Sequence, residues 1–536
     1  MKDIETLFPY WLPPRVSKEQ ILNNINLITV PPGYGKTYAA NHTLPHYFQE
    51  MTGKDIKYTV VVVPTLTIKE QTLAQYKNTN AISTDMFLDN TFEGIYICCA
   101  AQMIQFLKDG NDIKAPHLLI VDEMHQIAEW TKSFNDYILF FSWLYQNKEN
   151  MITCGLTATP QLLYDCSKAF RRIEHKELSF KELNLPMPPR YTTNKLEYWP
   201  RTKPSTILKT LHPREDNKIL VYVESARDCQ ALAAKFNGGF LISPYNEDYT
   251  SKGEDRLVDL MDSQIVKDKT FGAIELRQFI LNYQEMPHEY NLLFINSAYS
   301  CGMNIKDDSL KTILIYSDDV NVIKQVVGRA RHNVDKVIVC NTNYNSPIEQ
   351  SNMIRVKQAE RFLDNADFLE EEYKQQSISR NKEFADSGKM VTDLIYYKYN
   401  DIYAVNPFAI GYYDMRQNIA VQSEEDFIEQ LKEATACEDI TVITQDDKDA
   451  ANYDNLILYK ISNFNWEEYE DKDLFKDERD NIASQINAKR SNGKPLKWPS
   501  VCKIAVDNNI IQISEERRKM NYKNNKCQSS VKIKVI

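Results

Sequence analysis

A short glycine-containing stretch, VPPGYGKT at residues 30–37, has the residue types that bind phosphate. Gly33 and Gly35 allow the backbone to curl so that successive N–H groups point toward an anion. Lys36 would add a positive charge for the β- and γ-phosphates, and the hydroxyl of Thr37 suits Mg²⁺. The stretch begins with Val where the general pattern G-x-x-x-x-G-K-[ST] has Gly. The alternative is a glycine-rich turn with an exposed lysine.

Two adjacent carboxylates, in LLIVDEMH at residues 118–125, follow a predicted apolar strand. Asp122 is placed to hold Mg²⁺ through water. Glu123 is placed to polarise the water that attacks a γ-phosphate. The pair would alternatively cap the helix that follows. The pair follows a later predicted strand than the one that precedes Lys36. This position favours the metal and water roles over helix capping.

Two arginines near a glycine, in QVVGRARH at residues 325–332, form a third group. Arg329 and Arg331 suit stabilisation of negative charge that develops on a γ-phosphate, and Gln325 precedes them. They lie in a different part of the chain from the phosphate-binding stretch, so they would complete the site of one domain from another. A basic surface helix is the alternative.

Apolar runs rich in β-branched residues precede these groups and predict buried parallel strands. In the first half of the chain the predicted strands are 25–30, 59–64, 95–100, 117–123 and 151–160. A second region supplies 218–224, 240–243, 291–296, 312–317 and 336–340. Strands that alternate with helical segments predict an α/β fold with two parallel sheets covered by helices.

The predicted domains follow from this alternation and from the charge. They are a first lobe at 1–165, a proline-rich connector at 166–215, a second lobe at 216–345, a helical and acidic accessory region at 346–480, and a basic tail at 481–536. Residues 421–480 carry 19 acidic and 6 basic side chains, whereas residues 481–536 carry 12 basic and 3 acidic ones. The tail is either a nucleic-acid contact or a solvated segment, and the net charge of −10 excludes neither.

The ordered motifs resemble those of superfamily 2 helicases of the DExH kind, of viral, phage or bacterial type. VPPGYGKT resembles motif I, whose first glycine is usually replaced in that family. VVVPTLTIKEQ at 61–71, VDEMH and GLTATP at 155–160 are similar to motifs Ia, II and III. ILVYVESARDCQALA at 219–233, FINSAYSCGMNI at 294–305 and QVVGRARH are similar to motifs IV, V and VI. The resemblance implies two tandem RecA-like lobes of a P-loop NTPase with a mainly helical C-terminal extension.

The resemblance also implies roles for individual residues, with ATP and Mg²⁺ as cofactors. Nucleotide contacts are expected from Pro32, Gly33, Tyr34, Gly35, Lys36, Thr37, Asp122 and Gly302, with Thr37 and Asp122 holding Mg²⁺. Catalysis is expected from Glu123, Gln325, Arg329 and Arg331. Coupling of hydrolysis to movement is expected from His125, Thr157 and Thr159. Nucleic-acid contacts are expected from Pro64, Thr65, Ser225 and Ser297.

Two departures from the family pattern limit this transfer. His332 occupies the last position of motif VI, where many members have arginine, so the arginine that reaches the γ-phosphate stays open. Asn296 stands where motif V usually has threonine, and Asn304 where it commonly has aspartate.

The expected function is an ATP-dependent helicase or translocase on DNA, in replication, recombination or repair. Its partners would be DNA rather than RNA, with one strand tracked, and proteins of the same pathway. Richness in Asn, Ile, Lys and Tyr suits an AT-rich genome, so a phage-encoded enzyme is the preferred setting. The alternatives are an RNA-dependent ATPase, an ATP-driven binding switch, and the motor subunit of a restriction or defence complex with a separate nuclease.

The sequence also predicts the cellular location of the protein. It has no apolar run of about 18 residues, the length that a membrane span requires, and its beginning lacks the features of a signal peptide. Its ten cysteines include no C-x-x-C pair, which favours a reduced compartment without structural zinc. We therefore expect a cytoplasmic location, in the host cytoplasm if the protein is viral.

Overall fold

The structure is a computed structural model of the chain. It describes residues 10–89, 91–131, 134–241, 273–299, 303–341, 396–399, 402–421, 423–445, 447, 457–489, 494–521 and 526–536. The chain divides into two compact units, of which the first comprises Met1–Pro204 and Pro213–Thr441. The second comprises Ser205–His212 and Val442–Ile536. Among the described residues, no helix combines the length and the apolar character needed to cross a membrane.

The first lobe of unit 1 is a seven-stranded sheet in the order β3-β4-β2-β5-β6-β1-β7. Its strands are β1 (Ile25–Ile28), β2 (Tyr58–Val63), β3 (Thr79–Ala81), β4 (Gly94–Cys99), β5 (Leu118–Val121), β6 (Ile152–Leu156) and β7 (Phe180–Glu182), and the neighbours pair in parallel. Its helices are α1 (Lys18–Leu22), α2 (Lys36–His42), α3 (Leu44–Thr52), α4 (Leu66–Gln75), α5 (Ala100–Lys108), α6 (Met124–Trp130), α7 (Ile138–Asn147) and α8 (Gln161–Glu174).

The second lobe of unit 1 repeats this plan with the order β10-β11-β9-β12-β13-β8-β16. Its strands are β8 (Thr193–Trp199), β9 (Lys218–Val223), β10 (Gly239–Leu241), β11 (Leu292–Ile295), β12 (Leu310–Tyr316), β13 (Val334–Cys340) and β16 (Ile440–Val442). α9 (Pro204–Leu208) follows β8 in the chain, and α10 (Ala226–Phe236), α11 (Ala273–Tyr283) and α12 (Val320–Val327) follow later. The prediction of two parallel-sheet, RecA-like lobes is confirmed.

Burial explains why these segments form central strands. Every residue of β2, β5, β9 and β11 is buried. Strands that are covered on both faces need apolar side chains at every position, and the continuous apolar runs in the sequence supply them. Because the strands of each sheet are parallel, the residues that follow them gather at one edge. The phosphate-binding stretch follows β1, and the two carboxylates follow β5. Motif III follows β6 at that same edge.

The connector between the lobes is shorter than the predicted range of 166–215. β7 pairs with β1 and so extends the first lobe to residue 182, while β8 pairs with β13 and opens the second lobe at residue 193. Both strands were hidden in the sequence because each contains charged residues: β7 is a three-residue edge strand, and β8 begins with polar and charged residues instead of a continuous apolar run. Residues 183–192 are left as the link.

A helical pair after the second lobe packs on both lobes. α13 (Pro407–Val421) stacks Phe408 on Phe141 of the first lobe, with ring centroids 3.9 Å apart. α14 (Glu424–Thr435) places Phe427 against Tyr198 of the second lobe, with centroids 5.4 Å apart. The hairpin of β14 (Tyr396–Tyr399) and β15 (Ile402–Val405) precedes them. The predicted helical extension is thus confirmed, and its first part joins the two lobes.

Unit 2 has a hydrophobic core of its own. Its elements include α15 (Lys476–Ile486), α16 (Trp498–Asp507), and an antiparallel hairpin of β17 (Ile511–Asn521) and β18 (Lys526–Val535). Trp466 and Trp498 lie at its centre, with ring centroids 6.4 Å apart. The boundary at residue 442 cuts through the predicted 346–480 region, so the larger part of the acidic segment 421–480 and the basic tail belong to one unit.

Candidate nucleotide site between two lobes

The phosphate-binding stretch forms the loop between β1 and α2. Gly33 and Gly35 have φ values of 89° and 76°, in the left-handed region that glycine tolerates best. Lys36 is buried rather than exposed, and its Nζ donates to the carbonyl oxygens of Val30 at 2.7 Å and Pro31 at 3.2 Å. Burial lowers the pKa of Lys36 to about 8, although the charges of the two carboxylates oppose this. An anionic group in the loop would therefore stabilise the lysine charge.

The two carboxylates after β5 lie beside this loop. The Thr37 hydroxyl donates to Asp122 Oδ2 at 3.4 Å, and Asp122 Oδ1 accepts from the Glu123 amide at 3.1 Å. Burial, followed by the charge of Glu123, raises the pKa of Asp122 above its usual range. Glu123 has a φ of 46° at the start of α6, but its side chain makes no capping hydrogen bond. Its buried Oε2 has no hydrogen-bond partner, which leaves one carboxylate oxygen available for chemistry.

The two arginines differ in what their guanidinium groups bind. Both follow the end of α12 instead of lying on a surface helix. Arg329 is buried and donates to the backbone carbonyls of Gln325 at 2.9 Å and Met303 at 3.1 Å. Arg331 donates from Nε to Asn304 Oδ1 at 2.7 Å, and its Nη2 binds the same oxygen. Its buried Nη1 has no hydrogen-bond partner.

Arg331 therefore presents a free donor to the phosphate loop. A Cβ built on Gly33 would lie 3.6 Å from Arg331 Nη1, so the loop backbone and this donor are close together. Burial, together with the positive charge of Arg329, lowers the pKa of Arg331 to about 10, and it remains charged at neutral pH. His332, in contrast, contacts the Leu310 carbonyl oxygen through Nε2 at 2.8 Å and lies outside the cavity lining.

A buried polar network connects the lobes behind the carboxylates. His125 Nδ1 lies 2.8 Å from Thr157 Oγ1, and its Nε2 lies 3.2 Å from Gln325 Nε2. Gln325 Nε2 also donates to Thr159 Oγ1 at 3.2 Å. Burial lowers the pKa of His125, and a neutral ring with its proton on Nδ1 satisfies both neighbours. Glu123 Oε2 lies 3.6 Å from His125 Nδ1, which links the carboxylate to this network.

Two aspartates hold the N-terminus of α12, the helix that precedes the arginines. Asp319 caps α12 by accepting from the Asn321 amide at 2.8 Å. The next aspartate back, Asp318, lies 3.0 Å from Arg416 Nη2 of α13. Since α13 packs on the first lobe, this ion pair fixes α12 of the second lobe relative to the first.

The lobes also touch directly at the phosphate loop. A Cβ on Gly328, at the end of α12, would lie 2.5 Å from Pro32 Cγ. Only glycine leaves room for this approach.

Two residues of the connector, which the sequence did not single out, cover the loop. Arg190 donates from Nη1 to the Gly33 carbonyl, and a Cβ on Gly33 would lie 2.9 Å from the ring of Tyr191. Tyr34 supports the same segment by donating to the Pro188 carbonyl at 2.7 Å. No motif marks these residues, because their position depends on how the connector folds back over the first lobe.

These groups line one cavity of about 400 Å³. Its lining includes Pro32, Gly33, Gly35, Lys36, Thr37, Tyr38, Tyr76, Asp122, Glu123, Arg190, Tyr191, Asn304, Arg329 and Arg331. A larger cavity of about 620 Å³ lies at the start of β9. There the buried Lys218 already donates to the Met286 carbonyl and to Asp307, so its charge is satisfied.

The predicted nucleic-acid contacts occupy strand ends of both lobes. Thr65 and Ser225 cap α4 and α10, accepting from the amides of residues 68 and 228. Ser297 follows β11 and is exposed, whereas Pro64 is buried. Gly302, predicted to contact nucleotide, lies outside the described residues.

The residues present fit a magnesium nucleotide. The left-handed loop and Lys36 supply donors for phosphate, and Thr37 and Asp122 supply oxygen ligands of the kind that Mg²⁺ prefers. Glu123 and Arg331, each of which has one side-chain atom without a hydrogen-bond partner, line the same cavity. The fold and the site thus define a P-loop nucleotide-binding class with two RecA-like lobes.

Comparisons with known proteins agree with this class. Residues 16–162 match the family model described as "Type III restriction enzyme, res subunit", which supports a superfamily 2 helicase. No curated protein is significantly similar to the chain.

Solved structures of two helicases are also similar. The chain is 13% identical to S. cerevisiae Dbp5 bound to RNA and ADP BeF3, over 61% of this chain and 83% of that one, with a TM-score of 0.38. It is 13% identical to the DEAD-box helicase Mss116 bound to ssRNA and UDP-BeF, over 64% and 71%, with a TM-score of 0.40.

Proposed function

We propose that the chain is an ATP-dependent helicase or translocase of the DExH kind that acts on DNA. The observation that carries this proposal is the single cavity that unites Lys36 and Glu123 of one lobe with Arg331 of the other. A replication or repair role, a phage setting and a cytoplasmic location belong to the same proposal. Partners would be DNA and proteins of that pathway.

Hydrolysis would use the groups of the cavity in turn. The loop amides and Lys36 bind the phosphates, and Lys36 exchanges its carbonyl partners for phosphate oxygens. Thr37 and Asp122 would hold Mg²⁺, which when bound neutralises phosphate charge. Glu123 orients the attacking water and accepts its proton as the new P–O bond forms and the bond to ADP breaks. Arg331 Nη1 donates to the charge that develops on the transferred phosphoryl group.

Movement would follow from the contacts between the lobes. Arg331 and Gln325 belong to the second lobe, so their interaction with ATP and with His125 favours closure, and loss of the γ-phosphate favours opening. Thr65, Ser225 and Ser297 would contact phosphates of the tracked strand. Binding of this kind tolerates different sequences and weakens as salt rises.

Replacing Gly328 with alanine tests the closed arrangement. The added methyl group meets Pro32 Cγ and holds the lobes apart, so we expect ATP hydrolysis to slow at least about tenfold. Steady-state hydrolysis would be compared with that of the double variant Gly328→Ala/Pro32→Gly, in which both the Cγ atom and the Cβ atom 2.9 Å away are absent and activity should partly return. Wild-type activity in the single variant would show that the working enzyme does not use this contact.

Strand displacement tests the proposed function itself. The purified chain with ATP is expected to release a labelled strand from a partial DNA duplex with a single-stranded overhang, and to release less from the matching RNA duplex. Lys36→Ala provides the control, because it removes a phosphate contact and should abolish release. Faster release from RNA would favour the RNA-dependent alternative. No release from either would contradict unwinding.

The family match favours a second candidate, the motor subunit of a restriction complex whose nuclease is a separate chain. We would expect such a motor to move along intact duplex DNA without releasing either strand. A triplex-forming oligonucleotide on blunt duplex DNA distinguishes the two. Its ATP-dependent displacement without release of either duplex strand would support the restriction motor.

A further inference from the structure

Residues 189–191 of the connector cross from the first lobe to the second. Just before them the connector is bound to the first lobe, because the Tyr34 hydroxyl donates to the Pro188 carbonyl at 2.7 Å. Just after them it is bound to the second lobe, because the Thr192 amide donates to Asn333 Oδ1 at 3.0 Å. These bonds at both ends fix the crossing residues in place over the phosphate loop.

The side chain of Arg190 lies against this loop at Gly33. Its Nη1 donates to the Gly33 carbonyl, and a Cβ built on Gly33 would lie 3.2 Å from Arg190 Cδ. The guanidinium carbon lies 5.5 Å from the centre of the Tyr191 ring, within the range of a cation–π contact. Arg190 is exposed to solvent, yet its head and its aliphatic stem both contact the loop or the neighbouring ring.

The carbonyl that Arg190 binds belongs to the peptide unit that also contains the Tyr34 N–H. A peptide unit is planar and trans, so its C=O and its N–H point in opposite directions. A donor that holds the carbonyl on one side therefore holds the N–H on the other side. A charged donor also polarises the unit, which makes the N–H a stronger donor. In a phosphate-binding loop, such N–H groups bind the α- and β-phosphates.

We propose that Arg190 is a positioning residue for ATP binding, which acts from the connector by holding the peptide unit between Gly33 and Tyr34. The Tyr34 N–H is thereby directed at the α- and β-phosphates. This role rests on the proposed function in that the cavity must take ATP. Because ADP and ATP share these two phosphates, the contribution of Arg190 should be equal for both nucleotides. Arg331 differs, since its expected contact is the γ-phosphate that ADP lacks.

Equilibrium binding of nucleotides to the full chain tests this role. Fluorescent ADP and a fluorescent, non-hydrolysable ATP analogue would be titrated with Mg²⁺ and without nucleic acid. We expect Arg190→Ala to weaken binding of both about tenfold, the loss expected when a hydrogen bond that involves a charged group is weakened. Arg190→Lys should recover part of this loss, because lysine keeps a charged donor on a long side chain. The control, Arg15→Ala, removes an exposed arginine of the first lobe outside the cavity lining and should bind as the wild type does.

Steady-state hydrolysis supplies a second readout for the same variants. A contribution that is equal for bound ATP and for the transition state changes KM and leaves kcat as it was. Arg190→Ala should therefore raise KM about tenfold and change kcat by less than about twofold. A general loss of structure would lower kcat as well, so this split between the two constants identifies a positioning role.

The outcomes separate the role of Arg190 from the proposed function. Equal losses for ADP and ATP, with partial recovery in Arg190→Lys, support the role. Unchanged binding in Arg190→Ala, beside a wild type that binds both nucleotides, would overturn the role alone. A larger loss for ATP than for ADP, or a fall in kcat as large as the rise in KM, would also overturn it, because the guanidinium would then act on the γ-phosphate. A wild-type chain that binds neither nucleotide would overturn the proposed function and this role together.

Discussion

Replacement of Glu123 by glutamine is expected to lower the rate of ATP hydrolysis at least about 100-fold, the usual contribution of a positioned general base. Glutamine keeps the size of the side chain but does not accept the proton of the attacking water. The phosphate contacts of Lys36 and the loop are left in place, so ATP binding should persist. Steady-state hydrolysis and equilibrium binding of a fluorescent ATP analogue would measure the two effects separately.

The control for this variant is Glu70→Gln, which changes an exposed carboxylate on α4. It should hydrolyse ATP at the wild-type rate. The Glu123 variant, held in its ATP-bound form, should also retain single-stranded DNA longer than the wild type does. Near-normal turnover in the Glu123 variant would remove this carboxylate from the mechanism.

Alanine replacements of the two arginines after α12 are expected to differ in their main effect, one on the rate of hydrolysis and the other on stability. Arg331→Ala should lower the maximal rate of hydrolysis by about 10³-fold, the lower end of the effect of a charge-stabilising arginine. Its free energy of unfolding should fall less than in Arg329→Ala, because Arg331 gives up only its half-buried hydrogen bonds to Asn304, and its Nη1 has no partner in the folded chain.

Arg329→Ala should instead destabilise the second lobe by about 3 kcal/mol, because its buried hydrogen bonds to Gln325 and Met303 are lost. Thermal unfolding and hydrolysis rates would be measured for both variants, with Arg331→Lys as a charge-retaining control. A stable but inactive Arg329 variant beside an active Arg331 variant would reverse the assignment.

Sequence alone predicted the parallel strands and the two carboxylates for clear physical reasons. Strands buried on both faces need continuous apolar runs, and β2, β5 and β9 have them. The turn after β1 needs glycines at positive φ, and Gly33 and Gly35 supply them. These features depend on short stretches of chain, so spacing and residue type suffice to find them.

Features that depend on contacts between distant segments of the chain could not be predicted from residue type and spacing. Arg329 and Arg331 are two residues apart, and their different partners among residues 303–304, the Met303 carbonyl and the Asn304 side chain, depend on a distant segment of the chain. The role of Arg190 depends on the return of the connector over Gly33.

In the proposed function, nucleic acid controls ATP hydrolysis in the cavity between the lobes. The most direct test is the rate of ATP hydrolysis by the purified chain alone and with single-stranded DNA, duplex DNA or single-stranded RNA. We predict slow hydrolysis by the chain alone and strong stimulation by single-stranded DNA. Hydrolysis that is absent, or equally fast with and without every polymer, would contradict the motor and favour a nucleotide-driven binding switch.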